Sequence, residues 1–182
     1  MEKPRWRRRS SSLLVNSTHL RLRVDELELP DGTVVPDYYV RESAGFVIVF
    51  PLTHDERVVL VRQYRYGSDA IHLELPAGGL HEGEDPAECA ARELIEETGY
   101  AAPQLEFVAS YYAEPVRATA LARIFLARDA RQVAQPRPDP TEVIEVELAT
   151  IAEFRAMLAD GRIDAGHVLN AGYRVLDHLG LL

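Results

Sequence analysis

The sequence predicts an α+β protein, and three observations carry that prediction. Strand-length segments of alternating or continuous apolar character recur along the chain, one central segment has a full set of helix start and stop signals, and helical periodicity returns only near the C-terminus. Strands and helices therefore segregate, unlike the repeated βαβ units of a doubly wound sheet. At 182 residues the chain suits one ordinary globular domain. Apolar residues make up 47% of it and charged residues 27%, enough for a real core and a hydrated surface.

Charge excludes some partners. A net charge of −9 sets the surface as a whole against nucleic acid. Lys3, Arg5, Arg7, Arg8 and Arg9, followed by Ser10, Ser11 and Ser12, run against that trend. No apolar core of a signal peptide and no cleavage site follow them, so residues 1–18 are expected to form a disordered basic tail. No apolar run approaches the roughly 18 residues needed to span a bilayer, and a membrane partner is not expected. The single cysteine, Cys89, excludes an internal disulfide and a multi-cysteine zinc site. A cytoplasmic location follows by default.

After the tail, residues 19–44 read as N-terminal strands. Leu20, Leu22 and Val24 alternate with Arg21, Arg23 and Asp25, as in a half-buried strand, and Pro30-Asp31-Gly32 turns the chain into a returning strand over 34–41. A larger domain, residues 45–182, follows. Strands are expected at 45–52, 57–64 and 71–75, the last ending at Pro76-Ala77-Gly78-Gly79. Further strands are expected at 105–112 and 120–127, a stiff proline-rich loop at 135–140, and a strand at 142–148. Two helices close the chain, at 151–159 before Gly161 and at 165–179.

The best-specified element is a helix over 86–98. Asp85 caps it, Pro86 suits its first turn, Glu88 completes an Asp-x-x-Glu pattern, and Gly99 supplies a left-handed stop. Glu93 and Glu97 stand four apart and Glu96 three from Glu93, so the three carboxylates share one helical face. Like charges at those spacings repel by about 0.2–0.5 kcal/mol per pair, which asks for a counter-charge. Arg92 supplies part of it and a hard cation would supply more. Oxygen-only ligands suit Mg²⁺ or Mn²⁺.

The segment from Gly78 to Tyr100 resembles a complete Nudix box. Its pattern is Gly, five residues, Glu, seven residues, then Arg-Glu-apolar-x-Glu-Glu-x-Gly-apolar, and all nine specified positions in 23 residues are filled. The resemblance implies a mixed sheet sandwiched between helices, a loop-helix-loop motif, and divalent-metal-dependent hydrolysis of a pyrophosphate. It implies that Glu93 and Glu97 ligate metal together with the Ala77 carbonyl, and that Glu96 ligates or supports. Glu84 would help hold the loop or bridge to metal, Arg92 would orient the glutamates, and Gly78 would let the backbone turn sharply.

Substrate clues lie outside the box. Val61-Arg62-Gln63-Tyr64-Arg65-Tyr66 followed by Leu73-Glu74-Leu75-Pro76-Ala77-Gly78 resembles the branch acting on ADP-ribose and nucleoside-diphosphate sugars. The resemblance implies that Arg65 meets the diphosphate, with Arg62 as a second candidate. Pro115 lies 15 residues beyond the box, a spacing associated with ADP-ribose hydrolases. Tyr111 to Thr119 nevertheless departs from that group's Ser-Pro-Gly-x-Ser-Asp-Glu, so another sugar or a broader choice of nucleotide stays open. Arg117 in that stretch is a candidate phosphate contact. In this branch a glutamate before the late strand activates water; Glu142 fits that place and Glu145 is the reserve. Tyr39, Tyr64 and Tyr111 are candidates to stack the base.

The branch also implies an intertwined homodimer formed through the N-terminal strands. Two other functions compete: a house-cleaning hydrolase of modified nucleoside triphosphates, and a Nudix module that senses a nucleotide sugar without cutting it. The Arg62–Arg65 segment and Pro115 weigh against the first, and the intact set of box glutamates against the second.

Overall fold

The computed structural model describes residues 5–138 and 142–182; Lys3 of the basic tail and Asp139, Pro140 and Thr141 of the proline-rich loop and its end lie outside them. The chain divides into two compact units, Met1–Gly45 with Tyr112–Leu121 and Phe46–Tyr111 with Ala122–Leu182.

The first unit is a three-stranded antiparallel sheet of β1 (Arg7–Asn16), β2 (Arg21–Glu28) and β3 (Val34–Glu42), in the order β1-β2-β3. The strand β1 corrects the sequence-based expectation, since residues 7–16 of the supposed tail are ordered along the whole of β2. No apolar alternation announces this strand, and all ten of its residues are exposed. Charge holds it in register instead. Arg7 pairs with Glu28 at 2.5 Å, Arg9 with Glu26 at 3.2 Å, and the Ser11 hydroxyl donates to the buried Asp25 at 2.5 Å. The legible signal was complementarity: a basic segment followed by one that carries Asp25, Glu26 and Glu28. The excursion 112–121 joins this unit through an isolated bridge from Arg41 to Ala118 and a Ser43 N–H bond to the Thr119 hydroxyl.

The second unit holds a mixed sheet. Its strands are β4 (Phe46–Thr53), β5 (Arg57–Arg65), β6 (Ala70–Glu74), β7 (Ala77–Gly79), β8 (Tyr100–Ala101), β9 (Gln104–Tyr112), β10 (Leu121–Gln132) and β11 (Ile144–Thr150). The main path runs β11-β5-β4-β10-β8, and along it β10 and β4 run parallel. Helices α1 (Pro86–Thr98), α2 (Ile151–Asp160) and α3 (Gly166–His178) cover it. The alternation of β4 explains the layering. Val47 and Val49 pack with Cys89, Ala90 and Leu94 of α1, while Ile48, Phe50 and Leu52 pack with Phe154 and Leu158 of α2 and Val168, Ala171, Val175 and Leu176 of α3. Burying such a side chain contributes about 1.5–3 kcal/mol, so the two cores fix α1 to one face and α2–α3 to the other. The expected sandwich is present in this unit. The short strands β7 and β8 were not foreseen, and β10 runs five residues beyond the expected 120–127.

Candidate active site

Helix α1 begins as the sequence dictates. The Asp85 carboxylate accepts from Ala87 N–H at 2.8 Å and Glu88 N–H at 3.4 Å, Pro86 occupies the first turn, and Gly99 stops the helix at φ 73°. A side chain at Gly99 would be strained there and would place its Cβ 2.2 Å from the Ala134 carbonyl oxygen. A full capping box forms elsewhere, between Thr150 and Glu153 of α2.

Gly78 corrects its expected role. It lies in β7 with no positive φ, so it does not serve a sharp turn. Its missing side chain leaves room for a carboxylate, because a Cβ there would fall 2.0 Å from Cδ and Oε1 of Glu93. The backbone beside it meets the other key glutamate: Ala77 N–H donates to Glu97 Oε2 at 3.2 Å. The β7 segment and the acidic face of α1 are thus in direct contact.

Arg92 organises that face. Its Nε and Nη2 donate to Glu84 at 2.9 and 3.2 Å, its Nη1 to Glu93 at 2.6 Å and Glu96 at 3.0 Å, and its Nη2 also to the Gly79 carbonyl at 3.3 Å. Glu84 in addition accepts from His81 N–H at 2.8 Å. Hydrogen bonds from Arg92 and His81 hold the Glu84 carboxyl at about 2. Charge-assisted bonds of this kind are the strong ones, and together they staple the loop before α1 to its acidic face.

Glu97 and Glu93 are destabilised as carboxylates. Glu97 is only 3% exposed, and its burial, reinforced by the charges of Glu93 and Glu142, pushes its carboxyl up to about 8 against the opposing Ala77 N–H and Arg65. Burial also raises Glu93, against Arg92. A buried carboxylate raised by its neighbours favours any added positive charge. The all-oxygen donor set therefore fits a hard divalent cation. Among the described residues no three acidic, imidazole or thiol side chains stand together as a finished cation cage. The reason is visible: Glu93 and Glu96 are turned onto Arg92, and Glu97 onto Ala77 N–H.

Strand β5 sorts the outlying candidates. Its antiparallel register with β11 places Gln63 opposite Ile144 and Arg62 opposite Glu145. Opposed residues share a face and neighbours alternate, so Arg62, Glu145 and Glu147 lie on one side and Gln63 and Arg65 on the other. Arg62 Nε is bound to Glu147 at 2.5 Å, and the charge of Glu145 acts on Arg62. Arg65 instead feels Glu97 and Glu142, and the charge of Glu142 acts on both Glu93 and Glu97. The charges of Glu93, Glu97, Glu142 and Arg65 thus act on one another, with Glu96 tied in through Arg92, whereas Arg62 and Glu145 act on each other on the opposite face. Arg117 belongs to the first unit, where its guanidinium stands 5.6 Å over the Tyr38 ring. Tyr111 is half-buried and packs against the larger core of the second unit.

Two groups escaped sequence reasoning. Glu74, 2% exposed, takes two bonds from Arg65 and lies 3.5 Å from His167 Nε2. Its signal was an acidic residue set between Leu73 and Leu75. The second group is Ser68, His72 and Asp164, linked at 2.6 and 2.7 Å in nucleophile–base–carboxylate order. The Ser68 hydroxyl also approaches the Arg65 carbonyl at 3.1 Å, and the N–H groups of Ser68 and Asp69 close the local turn onto Arg65 and Tyr66. Those turn N–H groups are not free to steady an oxyanion, so the chain acts as a strut between β6 and the segment before α3.

Comparison with known proteins agrees with this architecture. Residues 43–171 match the family described as NUDIX domain, and residues 6–40 match the nucleoside diphosphate sugar hydrolase N-terminal domain. A methanol dehydrogenase activator of Bacillus methanolicus is 33% identical over 79% of this chain and 78% of its own. An ADP-ribose pyrophosphatase of Bacillus subtilis (strain 168) is 34% identical over 72% and 71%. A crystal structure of an ADP compounds hydrolase superposes with a TM-score of 0.84 over 100% of this chain and 98% of that one, at 22% identity, which speaks for the fold. Among the described residues no helix is long and apolar enough to cross a membrane. The sandwiched mixed sheet, the filled box and the family match over 43–171 lead to one conclusion: the chain belongs to the Nudix family of pyrophosphate hydrolases, which generally require a divalent metal.

Proposed function

We propose that this chain hydrolyses the phosphoanhydride of a nucleoside diphosphate linked to a second group, with ADP-ribose and similar nucleotide sugars first among substrates. The observation that carries the reading is the meeting of the acidic face of α1 with β7, where Glu93 packs against Gly78 and Glu97 accepts from Ala77 N–H, with the charges of Glu97 and Glu142 acting on Arg65. Glu93, Glu97 and Glu96, with the Ala77 carbonyl, would hold Mg²⁺ or Mn²⁺. Such ions supply charge neutralisation of the diphosphate and a more acidic water. Arg65 binds the diphosphate through its planar fork. Glu142 accepts the proton of the attacking water, as its place beside Glu93 and Glu97 suggests. Arg92 keeps Glu93 and Glu96 in place, and Glu84 anchors Arg92.

The N-terminal sheet would serve as a dimerisation extension. The exposed strand β1, with Leu13, Leu14 and Val15 at 43%, 53% and 37% exposure, supports that reading. Light scattering at micromolar concentration should give a dimer mass.

A phosphatase-coupled phosphate-release screen tests the substrate class. With Mg²⁺ or Mn²⁺, ADP-ribose or another nucleotide sugar such as GDP-mannose should be turned over faster than oxidised dGTP. Preference for oxidised dGTP would replace the proposal with the house-cleaning function.

A further inference from the structure

Glu74 occupies a place where a charge needs a reason. It lies on β6 between the core residues Leu73 and Leu75, almost wholly out of water. Burial raises its carboxyl, yet His167 and Arg65 together bring it down to about 2, so it stays ionised. The bond to Arg65 has two parts. Nε meets Oε1 at 3.2 Å and Nη2 meets Oε2 at 2.6 Å. Two parallel bonds fix the plane of a guanidinium as well as its position. They use the Nε–Nη2 edge, and among the described residues Nη1 meets no acceptor. The arginine side chain as a whole is 40% exposed.

The support behind Glu74 is built from a different element. His167 of α3 reaches Oε2, and His72, two residues before Glu74 on the same strand, is held by Asp164 in the segment before α3. The carboxylate is therefore braced from α3 at Oε2 while both of its oxygens accept from Arg65 of β5.

We infer that Glu74 is a positioning residue: with His167 behind it, it holds the Arg65 guanidinium with its Nη1 edge presented to the substrate diphosphate. The inference rests on the proposal that Arg65 contacts the diphosphate. Preorganisation is the physical gain, because the arginine surrenders its rotamer freedom before the ligand arrives. A buried pair that served stability alone would show no coupling to substrate binding.

Steady-state kinetics on ADP-ribose with Mg²⁺ test this, using the wild type, Arg65→Ala, Glu74→Gln, Glu74→Asp and the Arg65→Ala/Glu74→Gln double variant. Glu74→Gln should raise KM about tenfold and leave kcat within about threefold, as expected for a lost charge-assisted bond. In the Arg65→Ala background the same substitution should move KM less than about twofold, because the group it positions is gone. Glu74→Asp keeps the charge and shortens the reach, so it should follow Glu74→Gln, and it carries the comparison if Glu74→Gln does not fold. An unchanged KM in both Glu74 variants, or an equal rise with and without Arg65, overturns the positioning role. Should Arg65→Ala itself leave KM unaltered, the diphosphate contact is what fails.

Discussion

Arg92 and Arg65 of the second unit both meet glutamates, and they are used in opposite ways. Arg92 turns all three of its guanidinium nitrogens onto acceptors of its own chain: two bonds to Glu84 and one each to Glu93, Glu96, the Gly79 carbonyl and the Cys89 sulfur. Arg65 spends two, both on Glu74. A saturated guanidinium can only organise its neighbours, whereas a half-used one retains an edge for a ligand. Residue type is the same in both places; what differs is how many acceptors the fold supplies.

The largest effect expected from this contrast lies at Glu142, whose charge acts on Arg65. Glu142→Gln should lower kcat by about 10²–10⁴, the range for loss of a general base, while Glu145→Gln on the other face should leave it unchanged. A comparable loss from Glu145→Gln would mean that the strand faces have been assigned to the wrong roles. Next comes the saturated arginine. Arg92→Lys keeps the charge but breaks the fork, and should cost about 10–100-fold in activity or metal affinity. Near-normal activity would show that Glu93 and Glu96 need no such staple.

A pH experiment sharpens the same contrast through stability. Glu97 titrates at about 8 in the fold and near 4.5 when unfolded. The folded state therefore binds the extra proton between those values, and stability falls as pH rises from about 4.5 through 8. In EDTA, thermal unfolding of the wild type should fall over that window, and Glu97→Gln, neutral at every pH, should flatten that part of the decline. A parallel decline in the variant would assign the effect to other groups. The smallest effect concerns Arg62, whose pair with Glu147 is well exposed on both sides. Arg62→Ala should change stability by less than about 1 kcal/mol and leave KM alone. A raised KM would bring Arg62 into the site.

How much of this was legible in the sequence depended on how local the cause was. The α1 helix was legible to the residue, because Asp85, Pro86 and Gly99 act within one turn of its ends. The acidic face followed from helical spacing alone. Strand β1 was not, since Arg7 to Ser12 has no apolar period and is held by charges on a strand that comes later. The role of Gly78 was misread because its constraint is the approach of Glu93, 15 residues away, and not its own backbone angle. Glu145 could be set apart only by the register of β11 on β5, which places it opposite Arg62 and which no single-strand pattern encodes. The bracing of Arg65 by Glu74 and His167 joins three elements and was invisible for the same reason.

The claim beneath all of this is that the acidic face of α1 gathers divalent cations to grip a diphosphate. Titration calorimetry with Mg²⁺ and Mn²⁺, in the presence and absence of ADP, tests it most directly. The wild type should bind metal, more tightly with the nucleotide present, and Glu97→Gln should lose that binding while keeping its fold by circular dichroism. Absence of metal binding to the wild type with nucleotide present, or undiminished binding in Glu97→Gln, would contradict it.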